Sequence, residues 1–168
     1  MSIILKSRKE IDIMRQAGRI VAIIHRELTK EIRPGITTRE LNTIAEKLFE
    51  EHGAKASFKG YRGFPASICT SINEEVVHGI PGKRVLKEGD LVAIDVGSIY
   101  NGFQGDAAIT VEVGTVSENA HRLSEVTRGS LEAGIGMARA GTHLGDVSAA
   151  IQEYAERHGY SVVREYVG

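Results

Sequence analysis

The feature that most constrains the fold is an internal repeat. Pro34-Gly35-Ile36-Thr37-Thr38-Arg39-Glu40-Leu41 aligns with Ala140-Gly141-Thr142-His143-Leu144-Gly145-Asp146-Val147 at an offset of 106 residues, and the same offset sets Glu51-His52-Gly53 on Arg157-His158-Gly159. Two helices joined by a Gly-containing turn and ending in His-Gly therefore occur twice, over Glu10 to Gly53 and Asn119 to Gly159. Chance likeness between ordinary helix pairs is the alternative, and the shared offset of the Gly and His-Gly pairs argues against it. A duplication predicts two similar halves about a pseudo-twofold axis, with a site between them. The halves are unequal: about sixty residues follow Gly53 before the next helical stretch, whereas nine follow Gly159. The expectation is a single catalytic-type domain over 1–168, built of copies over about 10–113 and 119–168, with the second copy incomplete. Its sheet would then have an open edge through which the chain self-associates.

Within the first copy, Leu91 to Glu112 carries the chemistry. Leu91 to Val96 has strand character, yet Asp95 interrupts it where an apolar residue belongs. Asn101-Gly102 is a strong hairpin signal, because both central positions of a type I′ turn need φ > 0. The following β-rich run carries Asp106 before Ile109, Val111 and Val113. A hairpin about Asn101-Gly102 brings Asp95 and Asp106 together. Two carboxylates in an apolar sheet repel each other and lose hydration, so they call for a cationic neighbour, whether metal, Lys or Arg. Strand-end carboxylates bonded to backbone amides are the plainer alternative. Paired hard oxygen ligands suit Mn, Fe, Co or Zn when an imidazole contributes.

The 168 residues suffice for one domain with a full core, and 21 basic against 22 acidic side chains give no nucleic-acid or membrane-seeking surface. The lone Cys69 cannot form an internal disulfide, and Ile3 to Leu5 is too short a run for a signal segment, so a cytoplasmic protein is expected. Arg8 to Lys30 is helical by pattern, with Ile11, Met14, Ala17, Val21, Ile24 and Leu28 on one face. Pro34-Gly35 breaks it, Thr37 or Thr38 caps a second helix, and Gly53 ends that helix. Residues 54 to 113 read as strands and turns, including Ala66 to Ile72 and Val76-Val77-His78 as strands, and Ser161 to Val167 reads as the start of another.

His78 precedes a Gly-Ile-Pro turn. It is either a structural hydrogen bonder or a functional group for which Gly79 permits close approach of a ligand. The loop from Phe58 to Pro65 clusters Phe58, Tyr61 and Phe64 among glycines, which fits either packing under a loop or the lining of a small apolar pocket. Cys69 reads as a small buried hydrophobe. His25, His52, His121, His143 and His158 lie in helical or helix-end segments, with surface or capping roles.

Three segments in this order carry a resemblance: Phe64 to Asn73 leading into His78-Gly79-Ile80-Pro81, Asp95 and Asp106 eleven residues apart, and Val162 to Gly168. The chain resembles the type I methionine aminopeptidases of the bacterial kind, lacking their C-terminal part. The resemblance implies an α+β, duplicated pita-bread (aminopeptidase/creatinase-like) fold with its second half incomplete. It also implies metal-dependent removal of the N-terminal methionine from nascent proteins, in which metal-activated water attacks the first peptide bond. Two divalent ions (Co, Mn, Fe or Zn) would serve a complete site, with Asp95 chelating one and Asp106 bridging both. His78 would contact the scissile amide without ligating metal, and Phe58, Tyr61, Phe64 and Cys69 would surround the methionine side chain. Partners would be nascent polypeptide N-termini, with the ribosome as one place of encounter, and neither a specific nucleic acid nor a membrane. The family's other ligands, one histidine and two glutamates, have no counterpart in this sequence. Metal binding by this chain is therefore expected to be weak or absent, and its activity absent or very low.

Competing readings are a proline-directed or creatinase-like hydrolase of the same fold, a metal-free pita-bread binding module, and a purely structural domain. The short N-terminus and His-Gly-Ile-Pro argue against the first, the retained Asp95, Asp106 and His78 against the second, and the duplication against the third.

Overall fold

The computed structural model describes residues 3–165. The chain forms two compact units, Met1–Val116 and Ser117–Gly168.

In the first unit, helix α1 (Arg8–Glu31) starts at a capping box. The Ser7 hydroxyl accepts from the Glu10 amide, while the Glu10 carboxylate accepts from the Ser7 amide at 2.7 Å. Helix α2 (Thr38–Glu51) repeats the device with Thr37 and Glu40. Each box contributes about 1 kcal/mol. Full burial of one Ile or Leu contributes about 2 kcal/mol, so packing rather than capping decides where the helices lie. Ala17, Val21, Ile24 and Leu28 of the α1 stripe are buried, whereas Ile11 and Met14, in its first turns, are exposed.

The sheet contains β1 (Lys55–Ala56), β2 (Cys69–Ile72), β3 (Leu91–Tyr100) and β4 (Phe103–Glu112). Strand β3 is its centre and pairs antiparallel with all three others. Because β4 takes one edge of β3 along its whole length, β1 and β2 share the other. Val92, Ile94, Val96 and Ser98 of β3 are buried on the helix side, and the Ser98 hydroxyl donates to the Ala17 carbonyl at 2.9 Å. Helix α1 crosses β4 where neither partner has a side chain: a Cβ on Gly105 would meet the Gly18 nitrogen at 2.5 Å.

In the second unit, α3 (Glu118–Met137) and α4 (Leu144–Arg157) pack antiparallel. Gly129 and Gly134 admit the Tyr154 and Ile151 side chains, which a Cβ at either glycine would strike. At the offset of 106, the bounds of α4 coincide with those of α2, and the end of α3 with that of α1. The C-caps His52 (φ −95°, ψ 7°) and His158 (φ −96°, ψ 7°) share one conformation.

The structure corrects four readings. Ala66 to Ile68 does not belong to a strand, because the Ser67 amide bonds to the Asn42 side chain at 2.8 Å instead of a ladder. Val76 to His78 is not a strand either, since positive φ at Asn73 and His78 turns the segment into a loop. Residues 161–165 form no strand, and Tyr166, Val167 and Gly168 lie outside the described residues. His25 is buried, its Nε2 3.2 Å from the Ile94 carbonyl, and burial holds its pKa below the ordinary value. One buried polar side chain in an apolar stripe is invisible to periodicity.

Candidate active site

The β3–β4 hairpin is the frame of the site. Asn101 and Gly102 have φ of 47° and 82°, as a two-residue turn matched to strand twist requires. The turn sets the register, in which Gly97 faces Asp106 and Asp95 faces Ala108. Asp95 and Gly97 point to one face of β3, so Asp106 lies diagonally from Asp95 on that face, away from α1. Across the other edge of β3, Cys69 faces Asp95. Cys69, Asp95 and Asp106 thus form a row across β2, β3 and β4.

The electrostatics are those of acids without a counterion. Burial, then the charge of Asp106, raise Asp95 to about 6, while the charge of His78 opposes them. Burial raises Asp106 as well, although Asp106 is the more exposed of the two. Burial and both carboxylates push the Cys69 thiol up to about 12. No Lys or Arg contributes to the shift of either acid. Among the described residues, no cluster of three or more His, Cys, Asp or Glu has metal-binding geometry. The donor set on this face is a carboxylate pair, which suits a hard divalent ion and leaves most of its coordination to other ligands.

Gly97, having no side chain, lets other groups close in beside the pair. A Cβ there would come 2.0 Å from Ser57 Oγ, 2.7 Å from the Phe58 ring and 3.0 Å from Asp106 Oδ2, so the two oxygens lie at most about 5 Å apart. Ser57 Oγ is buried without a hydrogen-bond partner among the described residues. An isolated glycine inside a strand signals such a close approach, and this signal in the sequence marks Gly97.

His78 is exposed, with φ of 61°. The close approach that Gly79 allows is to the β2 backbone: a Cβ on Gly79 would meet the Thr70 carbonyl oxygen at 2.1 Å. In the aromatic loop, Phe58 and Phe64 meet edge to face at 6.5 Å, with Phe58 beside Gly97. Tyr61 is 64% exposed with the Arg62 guanidinium over its ring, apart from the phenylalanine pair. A cavity of about 510 Å³ lies at the α1–α2 connection, lined by Glu31, Arg33, Glu40 and Ile44 among others, and contains none of these residues.

Residues 12–168 match the model of metallopeptidase family M24. Methionine aminopeptidase 1 of Bacillus subtilis is 55% identical over 99% of this chain and 67% of its own length. The crystal structure of a methionine aminopeptidase from Thermotoga maritima superposes with a TM-score of 0.96 at 46% identity, covering 99% of this chain and 68% of that one. The prolidase from Pyrococcus furiosus, 24% identical with a TM-score of 0.82 over 94% of this chain and 45% of its own, shares the fold alone. The chain spans about two thirds of the length of the methionine aminopeptidases it matches.

Proposed function

The chain belongs to metallopeptidase family M24, among the methionine aminopeptidases with their pita-bread fold, and on that premise we propose that its carboxylate face serves the removal of N-terminal methionine from nascent polypeptides. The observation that carries this reading is the hairpin register, which sets Asp95 and Asp106 diagonally on one face beside the bare backbone of Gly97. In this reading Asp95 and Asp106 would be the residues that hold the divalent metal (Co, Mn, Fe or Zn). Such ions activate water and polarise a carbonyl.

The other roles belong to the chain's own side chains. The His78 imidazole donates a hydrogen bond to the scissile amide and stabilises charge as the bond breaks. Phe58, Phe64 and Cys69 form an apolar slot suited to a thioether, with Tyr61 at its exposed rim. The setting is the cytoplasm, where nascent chains are met, including at the ribosome. Among the described residues no helix is long and apolar enough to cross a membrane. The far edge of β4 has no strand partner among the described residues, and we read it as a surface for self-association.

Two carboxylates hold an ion weakly, so this chain by itself releases little or no methionine. The test is calorimetric titration with Mn or Co, beside methionine release from a Met-initiated tripeptide. Binding is expected to be weak in the parent chain, abolished in Asp106→Asn and retained in His78→Ala. Any turnover should require the ion and vanish in Asp106→Asn. Unchanged ion binding by Asp106→Asn overturns the metal assignment.

A further inference from the structure

Among the described residues, the loop that carries His78 is fastened to the sheet by hydrogen bonds at its two ends and nowhere between. At the near end, Asn73 donates its amide to the Leu91 carbonyl at 3.0 Å, and its side chain bonds the Leu91 amide and the Asp90 carboxylate. The Glu75 carboxylate accepts from the Ile72 amide at 2.8 Å. Between the ends, Val76 and Val77 are 62% and 47% exposed, and His78 is exposed too. At the far end stands Gly79 alone: its carbonyl accepts from the Thr70 amide at 2.9 Å, and its amide donates to Ser71 Oγ at 3.1 Å. Ser71 pairs with Ala93, two residues before Asp95 and on the same face.

His78 adopts a left-handed backbone conformation, which a residue with a Cβ keeps only when its neighbours impose it. Val76 and Val77 are exposed, and the hydrogen bonds next to His78 are the two of Gly79. The Thr70 bond fixes the position of the Gly79 carbonyl along β2. The Ser71 bond fixes the orientation of the preceding peptide plane, which joins His78 to Gly79. We propose that Ser71 is a positioning residue, whose hydroxyl, by accepting the Gly79 amide, holds His78 beside Asp95 on the carboxylate face. Because Ser71 and Asp95 share a face of the sheet, the bond from Gly79 to Ser71 fastens the loop to that face, and the contribution of His78 at Asp95 agrees with this placement. This assignment rests on reading His78 as the histidine that meets the substrate.

The test needs no turnover. The probes, at fixed pH on the whole chain, are the hydrogen exchange of the Gly79 amide and the change in His78 ring resonances when Asp95 is replaced by Asn. In Ser71→Ala, Gly79 exchange should rise about tenfold. The response of the His78 ring to Asp95→Asn should disappear, while β3 and β4 amide resonances keep their positions. Ser71→Thr, which retains a hydroxyl, should restore both. A His78 ring that still responds to Asp95→Asn in Ser71→Ala overturns the proposal. So does a Gly79 amide that exchanges in the parent chain as fast as those of Val76 and Val77, a measurement that stands even if Ser71→Ala fails to fold. Loss and rescue of the coupling support Ser71 in its role even in a chain that releases no methionine, so failure of the functional reading is told apart from failure of this one.

Discussion

Cys69 and Asp95 face one another directly across the β2–β3 ladder, and the thiol is buried beside a carboxylate pair that resists a further negative charge. With its pKa pushed up to about 12, the thiol remains protonated at any pH at which the protein is handled, and the thiolate is the reactive form. Cys69 should therefore resist alkylation in the folded chain at pH 8 and react at the rate of a free thiol in denaturant. Rapid labelling of the native chain would show that the row is open to solvent.

The carboxylate pair should weaken the fold in a pH window of defined sign. Asp95, at about 6 in the folded chain, compares with about 3.9 unfolded, so the folded state holds its proton more tightly. The ionisation penalty is absent below about pH 4 and complete above about pH 6. The shift corresponds to about 3 kcal/mol, reduced by partial exposure to about 1–2 kcal/mol. Asp95→Asn is thus expected to stabilise the chain by that amount at pH 7.5, with the difference closing below pH 4, as read from urea denaturation. His25 contributes in the opposite sense: its lowered pKa means that its share of stability is present above about 6.5 and lost as pH falls below that value. Comparing variant and parent at the same pH cancels it.

The α1–β4 crossing predicts opposite effects for two neighbouring glycines. A Cβ at Gly105 would meet backbone atoms of Ala17 and Gly18 at 2.5–2.8 Å, and backbone cannot step aside, so Gly105→Ala should destabilise by about 2–3 kcal/mol. At Gly18, exposed within α1, nothing lies within 4 Å of an added Cβ, so Gly18→Ala should stabilise by about 1 kcal/mol through helix propensity. Thermal melts of the two variants check this directly.

The far edge of β4 should make the chain associate with itself. In a two-residue hairpin the turn-closing pair is hydrogen-bonded and the pairs alternate outward, so the Gln104, Asp106, Ala108 and Thr110 amides point away from β3. Sedimentation over a range of concentrations should show association, and Thr110→Pro, which removes one outward donor and spares the ladder, should weaken it. A parent chain that sediments as a concentration-independent monomer would rule this out.

Much of the first unit is legible in the sequence because short-range rules govern it. The stripe from Ala17 to Leu28 marks one helix, Thr37 with Glu40 marks the start of the next, and Asn101-Gly102 fixes a hairpin whose register carries Asp95 and Asp106 to one face. The loop from Asn73 to Gly79 was not legible. Val76-Val77-His78 reads as a strand by composition, but the β2 amides such a strand would need are taken by Glu75 and Gly79.

The sequence by itself determined the helices, the hairpin and the pairing of two acids, because each depends on residues only a few positions apart or on a turn of two. The tertiary structure alone decided that His25 turns inward, that Gly105 touches Gly18, that Ser57 and Phe58 are the groups that close onto Gly97 beside Asp106 and that Ser71 holds the peptide of His78. These depend on contacts between segments brought together by the packing of α1 and β2 onto β3 and β4, and no local preference of either segment encodes the distance between them.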